Sequence, residues 1–404
     1  MTATLTGFLH EATVPALTDT VSPALDISIF EQVLEQGSAA QRLTLARQLA
    51  SFTSDAETPA IERDHIVPVM LKLAVDTDPD VRRALADGVA ATGLLHADIL
   101  FSIIADEDDI ALPFLGATPA LTYWHMLAVL KVGDPARQSA IALRADLSAE
   151  SRAFIIKSAP LDVCLALFDN PAVHLSEEEY HSLYTRFGQS QEMAERLLAC
   201  SDLPLDIRIL QAKRASNRMH QLMAERGWVA ANDAAELVAD AEETAILNIL
   251  VSAEPKELVR VVEFLVSRNM LTPSIIVRAA CLGELHVVEC AMANLAGVHV
   301  LRARDLMAGR AMGGFKSLHA KSGLPPSCLA VLQAACDVAR EEAEEGTTLD
   351  AEGFGRRLVE ALMTRYESFG FKDRAKHLEV VGRFAEDRVR IIARRLRADI
   401  VRAA

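Results

Sequence analysis

The stretch Ala74-Val-Asp-Thr-Asp-Pro-Asp-Val-Arg-Arg-Ala-Leu85 decides how the rest of the chain is read. An apolar helix ends in a short acidic turn, and a second helix starts at once. Asp78 is placed to cap free backbone N–H groups, and Pro79 fits a first helical turn, where its missing N–H is no loss. Val81 and Leu85 follow four residues apart, on one buried face. Two helices joined by so tight a turn form one unit, and Arg82 stands just inside the second helix.

Weaker copies of this turn surround it: Gln36-Gly-Ser-Ala-Ala-Gln-Arg-Leu43, Gly133-Asp-Pro-Ala-Arg137 and Ser201-Asp-Leu-Pro-Leu-Asp-Ile-Arg208. Ser38, Asp78 and Asp134 lie 40 and 56 residues apart, and the longer gap holds two units if the turn Asp106-Glu-Asp-Asp109 is counted. Periods of about 28–40 residues with two helices per unit mark a helical solenoid. A single unit cannot bury its apolar face, so neighbours must stack.

Composition agrees. Apolar residues make up 51% of the 404 and aromatics only 5%. Alanine and leucine keep their rotamer freedom in helices, and the β-branched runs that strands require are scarce. The expected class is all-α. The formal net charge of −15 repels phosphate backbones and anionic lipid, so broad nucleic-acid or membrane binding is disfavoured. Residues 301–404 depart from this, with 19 Lys and Arg against 15 Asp and Glu. The opening residues carry no basic start and no sustained apolar stretch, so no secretory signal is expected. No window approaches the roughly 20 apolar residues of a membrane span. Six cysteines without a C-x-x-C pair read as reduced, buried thiols of a cytoplasmic protein.

Two resemblances follow from quoted residues. The Asp-Pro-Asp-Val-Arg turn resembles HEAT repeats, a likeness that implies an Asp and an Arg bridging adjacent units. Leu282-Gly-Glu-Leu-His-Val-Val-Glu-Cys-Ala-Met-Ala-Asn-Leu-Ala-Gly297 and Gly314-Phe-Lys-Ser-Leu-His-Ala-Lys-Ser-Gly-Leu-Pro325 resemble the bacterial family named domain of unknown function 2336. With the Asp78 turn, this resemblance covers residues 30–340. It implies a HEAT-like helical array and brings no catalytic residues with it.

The organisation expected is a flexible arm over 1–25, HEAT-like repeats over 26–225 and further helical repeats over 226–340. A Gly-Thr break near residue 346 leads into a C-terminal helical extension over 346–404. Its last helix, read as 372–402, places Phe384, Val389, Ile392, Leu396 and Ile400 along one stripe. Residues 383–402 hold seven arginines against Glu386, Asp387 and Asp399. Arg390, Arg394 and Arg397 are the candidate partner-binding face, turned outward from that stripe.

Other constellations carry less. Glu62 with His65 and Glu178 with His181 have the acid-x-x-His spacing of helix-borne metal ligands, but chance alone supplies about one or two such pairs in a chain this acidic. Ser176 and Glu179 also form a capping box, which gives the acids near Glu178 a structural task. Gly309-Arg-Ala-Met-Gly-Gly-Phe-Lys-Ser317 misses the phosphate-loop spacing by one residue, and reads as a helix–helix turn using glycine for unusual backbone angles. Trp124 and Trp228 read as core. No G-x-S-x-G elbow occurs, and no metal, cofactor or catalytic residue is expected. The favoured function is a non-enzymatic scaffold or regulator that binds another protein. The alternatives are a nucleic-acid-associated regulator docking through the C-terminal arginines, and an enzyme with an unrecognised site between repeats.

Overall fold

The computed structural model describes residues 27–55, 57–226, 231–309, 312–364 and 371–403. The expected arm over 1–25 lies outside them, as does Trp228. Among the described residues the regular elements are 23 α-helices and one 3-10 turn at Pro326–Cys328, with no strand. The protein is all-α. Among these residues no helix is long and apolar enough to cross a membrane. The chain divides into two compact units between Leu197 and Leu198.

The first unit carries α1 (Ser28–Gln36), α2 (Ala39–Ser54), α3 (Ala60–Ala74), α4 (Pro79–Val89), α5 (Ala97–Ile104) and α6 (Asp108–Ala117). It continues through α7 (Tyr123–Val132), α8 (Pro135–Ala142), α9 (Ala149–Ser158), α10 (Leu161–Phe168) and α11 (Glu177–Phe187). Even-numbered helices α2 to α10 pack in sequence, each on the next even one. Odd-numbered helices form the facing layer, α1 on α3, α3 on α5, α7 on α9 and α9 on α11. The Phe101 and His125 rings, 5.4 Å apart and edge-on, link α5 to α7.

Local sequence starts these helices as anticipated. Ser38 and Gln41 form a capping box on α2, Asp78 accepts from the Asp80 N–H at 2.9 Å, and Asp134 accepts from the Arg137 N–H at 3.0 Å. In α4 the buried face is Val81, Leu85, Ala86 and Val89. Each such valine or leucine contributes about 1.5–3 kcal/mol when taken fully out of water. Closest approach falls between α2 and α4, where a Cβ added at Gly88 would lie 2.5 Å from that of Ala50.

The second unit begins at the end of α12 (Gln191–Ala199) and carries α13 (Leu205–Arg226), α14 (Ala231–Val251), α15 (Pro255–Ser267) and α16 (Pro273–Cys281). Next come α17 (Leu285–Ala296), α18 (Val300–Ala308), α19 (Met312–Ser322) and α20 (Leu329–Glu345). The last three are α21 (Ala351–Thr364), α22 (Phe371–Phe384) and α23 (Asp387–Ala403). Its centre is α16, in which every residue from Ile275 to Cys281 is buried. A helix buried on all sides belongs in the middle of a core; α16 contacts α14, α17, α20, α21 and α22, and its buried Arg278 is paired with Asp240. The helices after residue 346 share this core through Phe354, Leu358, Leu378, Val381, Phe384 and Val389.

The single last helix expected over 372–402 is two, α22 and α23, so Phe384 of the expected stripe ends α22, and one residue of the remainder is displaced. Val389 is fully buried and Leu396 and Ile400 pack on the core, but Ile392 is 37% exposed and Ala393 takes its place. At 100° per residue, positions 389, 393, 396 and 400 fall within one narrow sector, and 392 does not.

Candidate functional site

Arginines brace the first unit across its layers. Arg42 holds Asp76 with Nε at 2.7 Å and donates to the Gly37 carbonyl. Arg82 reaches Asp106 at 2.8 Å, the Asp76 carbonyl at 2.8 Å and Glu107 at 3.1 Å. Arg137 donates to the carbonyls of Ile104 (2.8 Å) and Asp106, and pairs with Asp108 at 3.0 Å. Arg144, itself buried, donates to the Leu115 and Thr118 carbonyls. An Asp–Arg bridge between neighbouring units is therefore present at the quoted turn. Its acid is Asp76, two residues before the capping Asp78. Burial opposes the Asp76 charge, but the bond from Arg42, the Asp78 N–H and the charges of Arg42 and Arg82 outweigh it and hold the carboxyl below its usual range.

Between α9 and α11 lies an open groove of about 980 Å³. Ala149 and Ala153, four apart on α9, are too small to fill the space, and Ile156 continues their row. Glu178, Ser182 and Thr185 line the α11 side, with His174 and Leu175 at one end. The Ser182 and Thr185 hydroxyls turn back to the carbonyls of Glu178 (2.9 Å) and His181 (2.8 Å), so their carbon atoms face the groove. The walls are fixed. Arg152 meets Glu179 at 3.3 Å, Glu179 completes the Ser176 capping box, and Arg186 caps the end of α9 through the Ile156 and Ala159 carbonyls. Among the described residues Lys157, His174 and the Glu178 carboxylate have no partner and remain as uncommitted polar groups at the rim.

The thiol beneath this groove is not poised for chemistry. Burial pushes Cys164 up to about 11, and Arg186 offsets only part of that. Cys281 and Cys336 are pushed up to about 12 by the same cause. Such thiols are poor nucleophiles.

Glu178 and His181 both line the groove, although the acid paired with His181 is Glu177, at 4.0 Å. Glu62 is half-buried and His65 exposed on α3. Among the described residues no group of three or more His, Cys, Asp or Glu is placed to hold a metal.

Two sequence readings are corrected. Trp124 is 72% exposed, since the inward positions of α7 belong to Met126, Val129 and Leu130, and its ring lies edge-on to Tyr123. Of the 309–317 stretch, Gly309 ends α18 with an ordinary φ of −67°, residues 310 and 311 lie outside the described ones, and the rest belongs to α19. Within α19 a Cβ at Gly314 would lie 3.3 Å from Leu306 Cδ2. Left-handed angles occur instead at Gly283, Gly297 and Gly323, within the two motifs quoted for the family resemblance.

Arg390, Arg394 and Arg397 fall on the flank of α23 nearest α22. Arg390 donates to the Ala385 carbonyl at 2.6 Å, Arg394 to the Gly382 carbonyl at 3.2 Å, and Arg397 pairs with Glu379 at 3.0 Å. The groove had no sequence signal strong enough to find it, because Ala149 and Ala153 look like ordinary helix formers.

No curated protein matches the chain. The sequence model of DUF2336, described as an uncharacterised protein conserved in bacteria, matches residues 110–371, which include α9, α11 and all of α16. With well over half of its length matched, the chain belongs to this bacterial family of domain of unknown function 2336.

Proposed function

We propose that the protein is a HEAT-like helical-repeat adaptor that holds a segment of a partner protein in the groove between α9 and α11. The observation that carries this reading is the groove's construction: an apolar floor of Ala149, Ala153, Ile156 and Leu175 under a polar rim, on walls fixed by Arg152 and Arg186. Preorganised walls reduce the ordering cost that a docking peptide must overcome. Stacked helix pairs present such inter-helix furrows, and their specificity lies in scattered exposed side chains. The buried, high-pKa thiols suit a reducing compartment such as the cytoplasm.

A photo-crosslinking residue at Ser182, introduced in the bacterial host, tests the proposal. It should yield a discrete protein adduct that the same residue at exposed Arg47 on α2 does not. Ala153→Trp should fill the groove and abolish the adduct while leaving the circular dichroism spectrum unchanged. Equal adducts from both positions, or capture that survives Ala153→Trp, would overturn the reading.

A further inference from the structure

The buried stripe of α23 occupies one side of the helix, and its reverse carries a second pattern. Ile391 and Ala398 lie seven residues apart, and Arg394 and Val401 lie seven apart beside them. Ile391 is 68% and Val401 59% exposed. Written as a heptad, Ile391 and Ala398 are a positions and Arg394 and Val401 are d positions. The e positions are then Arg388, Arg395 and Arg402, and the g positions are Arg390 and Arg397. Every flanking position is arginine, but only the e row faces water: Arg390, Arg394 and Arg397 lie beside α22, where they hold the Ala385 carbonyl, the Gly382 carbonyl and Glu379.

We infer that this face of α23 docks an amphipathic helix of a partner protein whose own e and g positions are acidic. In paired helices the residues at e and g choose the partner and its orientation. Three like charges along the water-facing flank reject a second copy of α23, since identical seams would set arginine against arginine. They accept a helix with Asp or Glu at the same places. Successive arginines recur every seven residues, about 10.5 Å along the axis, and carboxylates on a partner helix recur at the same interval. Guanidinium forks match carboxylates in two-bond geometry, which lysine does not.

The arginines of the e row are available for exchange. Arg388 meets Glu352 at 3.2 Å and Arg402 meets Asp399 at 3.9 Å, each through an exposed guanidinium. Exposed pairs of this kind contribute little to stability. Arg395 is exposed and has no partner among the described residues. A bilayer is a poorer occupant, because Val389, Ala393, Leu396 and Ile400 are committed to the core and only Ile391, Val401 and the partly exposed Ile392 remain as large apolar groups to insert. This surface lies in the second unit and does not depend on the α9–α11 groove.

Fluorescence anisotropy on the full chain tests it with a labelled synthetic helix of three heptads, leucine at a and d and glutamate at e and g. That peptide should bind, and binding should weaken about tenfold as salt rises from low to physiological strength. The same peptide with lysine at e and g should not bind. The triple variant Arg388→Glu, Arg395→Glu, Arg402→Glu should lose about 100-fold of the affinity and should gain binding of the lysine peptide. Arg395→Glu alone, at a position with no role in the fold, should lose about five- to tenfold. Equal binding of the two peptides, or unchanged affinity in Arg395→Glu, would overturn the inference. So would preferential binding of single-stranded DNA or of phosphatidylserine vesicles in the same assay.

Discussion

The two units solve one problem in different ways. Every α-helix leaves its last carbonyls without partners. In the first unit, where most helices run only 8–11 residues, arginines from neighbouring helices fill that need: Arg82, Arg137, Arg144 and Arg186 all donate to carbonyls at helix ends. Asn170 does the same for the end of α8, through the Ala142 and Arg144 carbonyls at 2.9 and 2.8 Å. In the second unit the chain supplies its own partners. After α16, Gly283 takes φ +84° and the Glu284 N–H reaches back to Ala279 at 2.9 Å, a Schellman closure. Among the described residues every left-handed position lies in this unit. Arginine caps persist there at Arg208, Arg390 and Arg394. A stack of short pairs is held by side chains that cross between pairs, whereas the second unit rests on one shared apolar core.

The largest expected effect breaks a brace. Arg82→Met leaves Asp106 nearly buried without its cation and the Asp76 carbonyl without its donor. It should cost about 3 kcal/mol. Hydrogen exchange read by mass spectrometry should localise the loss to α2–α6. Equal loosening of α16 and α17 would mean that the two units are not separately stabilised. Next comes Gly283→Ala, which combines a left-handed φ with a Cβ only 3.1 Å from the Phe354 ring. A loss of about 2 kcal/mol, confined to the second unit, is expected from denaturant melts.

A matched pair sharpens the comparison. Nothing lies within 4 Å of a Cβ added at Gly116 or at Gly297, but only Gly297 has a positive φ, +61°. Gly297→Ala should destabilise by about 1 kcal/mol, while Gly116→Ala, inside α6, should stabilise by about 0.5 kcal/mol. Shifts of the same sign would show that φ is not what separates these glycines.

The smallest expected effect concerns pH. Burial holds His319 below the usual histidine value of 6.5, against the Pro325 carbonyl that favours its charged form. His377 is lowered too, first by burial. Unfolded histidines take up protons from about pH 6.5 downward and these folded ones resist, so their contribution is full above that pH and lost as pH falls below it. Asp76, held below 3.8, loses its contribution only under far more acid conditions. Protection factors, with the intrinsic pH dependence of exchange removed, should therefore fall in the second unit first between pH 7.5 and 5.5. His319→Phe should reduce that fall, and an unchanged fall would remove His319 from the account.

Much of this was legible in the sequence, for identifiable reasons. Helix starts are written by single residues, and Ser38, Asp78, Asp134 and Ser176 all cap where their type and spacing said they would. The bridging acid was harder to read. Asp76 and Asp78 sit in one acidic run, and only the approach of Arg42 from a residue 34 positions away tells brace from cap. Trp124 was misread because an aromatic inside an apolar helix suggests core, while its position in the first turn of α7 turns it outward. The α9–α11 groove is made by what its side chains lack in size, which no motif records. On α23 the arginines were visible, but separating the row beside α22 from the row facing water needed the neighbouring helix.

The turn at Asp106 is gripped from both directions, by Arg82 from the pair before it and by Arg137 from the pair after it. That makes copy number in this array hard to change. Duplicating or deleting one helix pair by recombination would present a guanidinium to the wrong turn, and an unpaired buried arginine costs a large fraction of a domain's net stability. New pairs can be added without that penalty only where no arginine crosses the junction. The braces that steady the stack also fix its length in descent, so lineages of this protein should differ by substitutions within pairs and by additions at the ends far more than by pairs gained or lost in the middle.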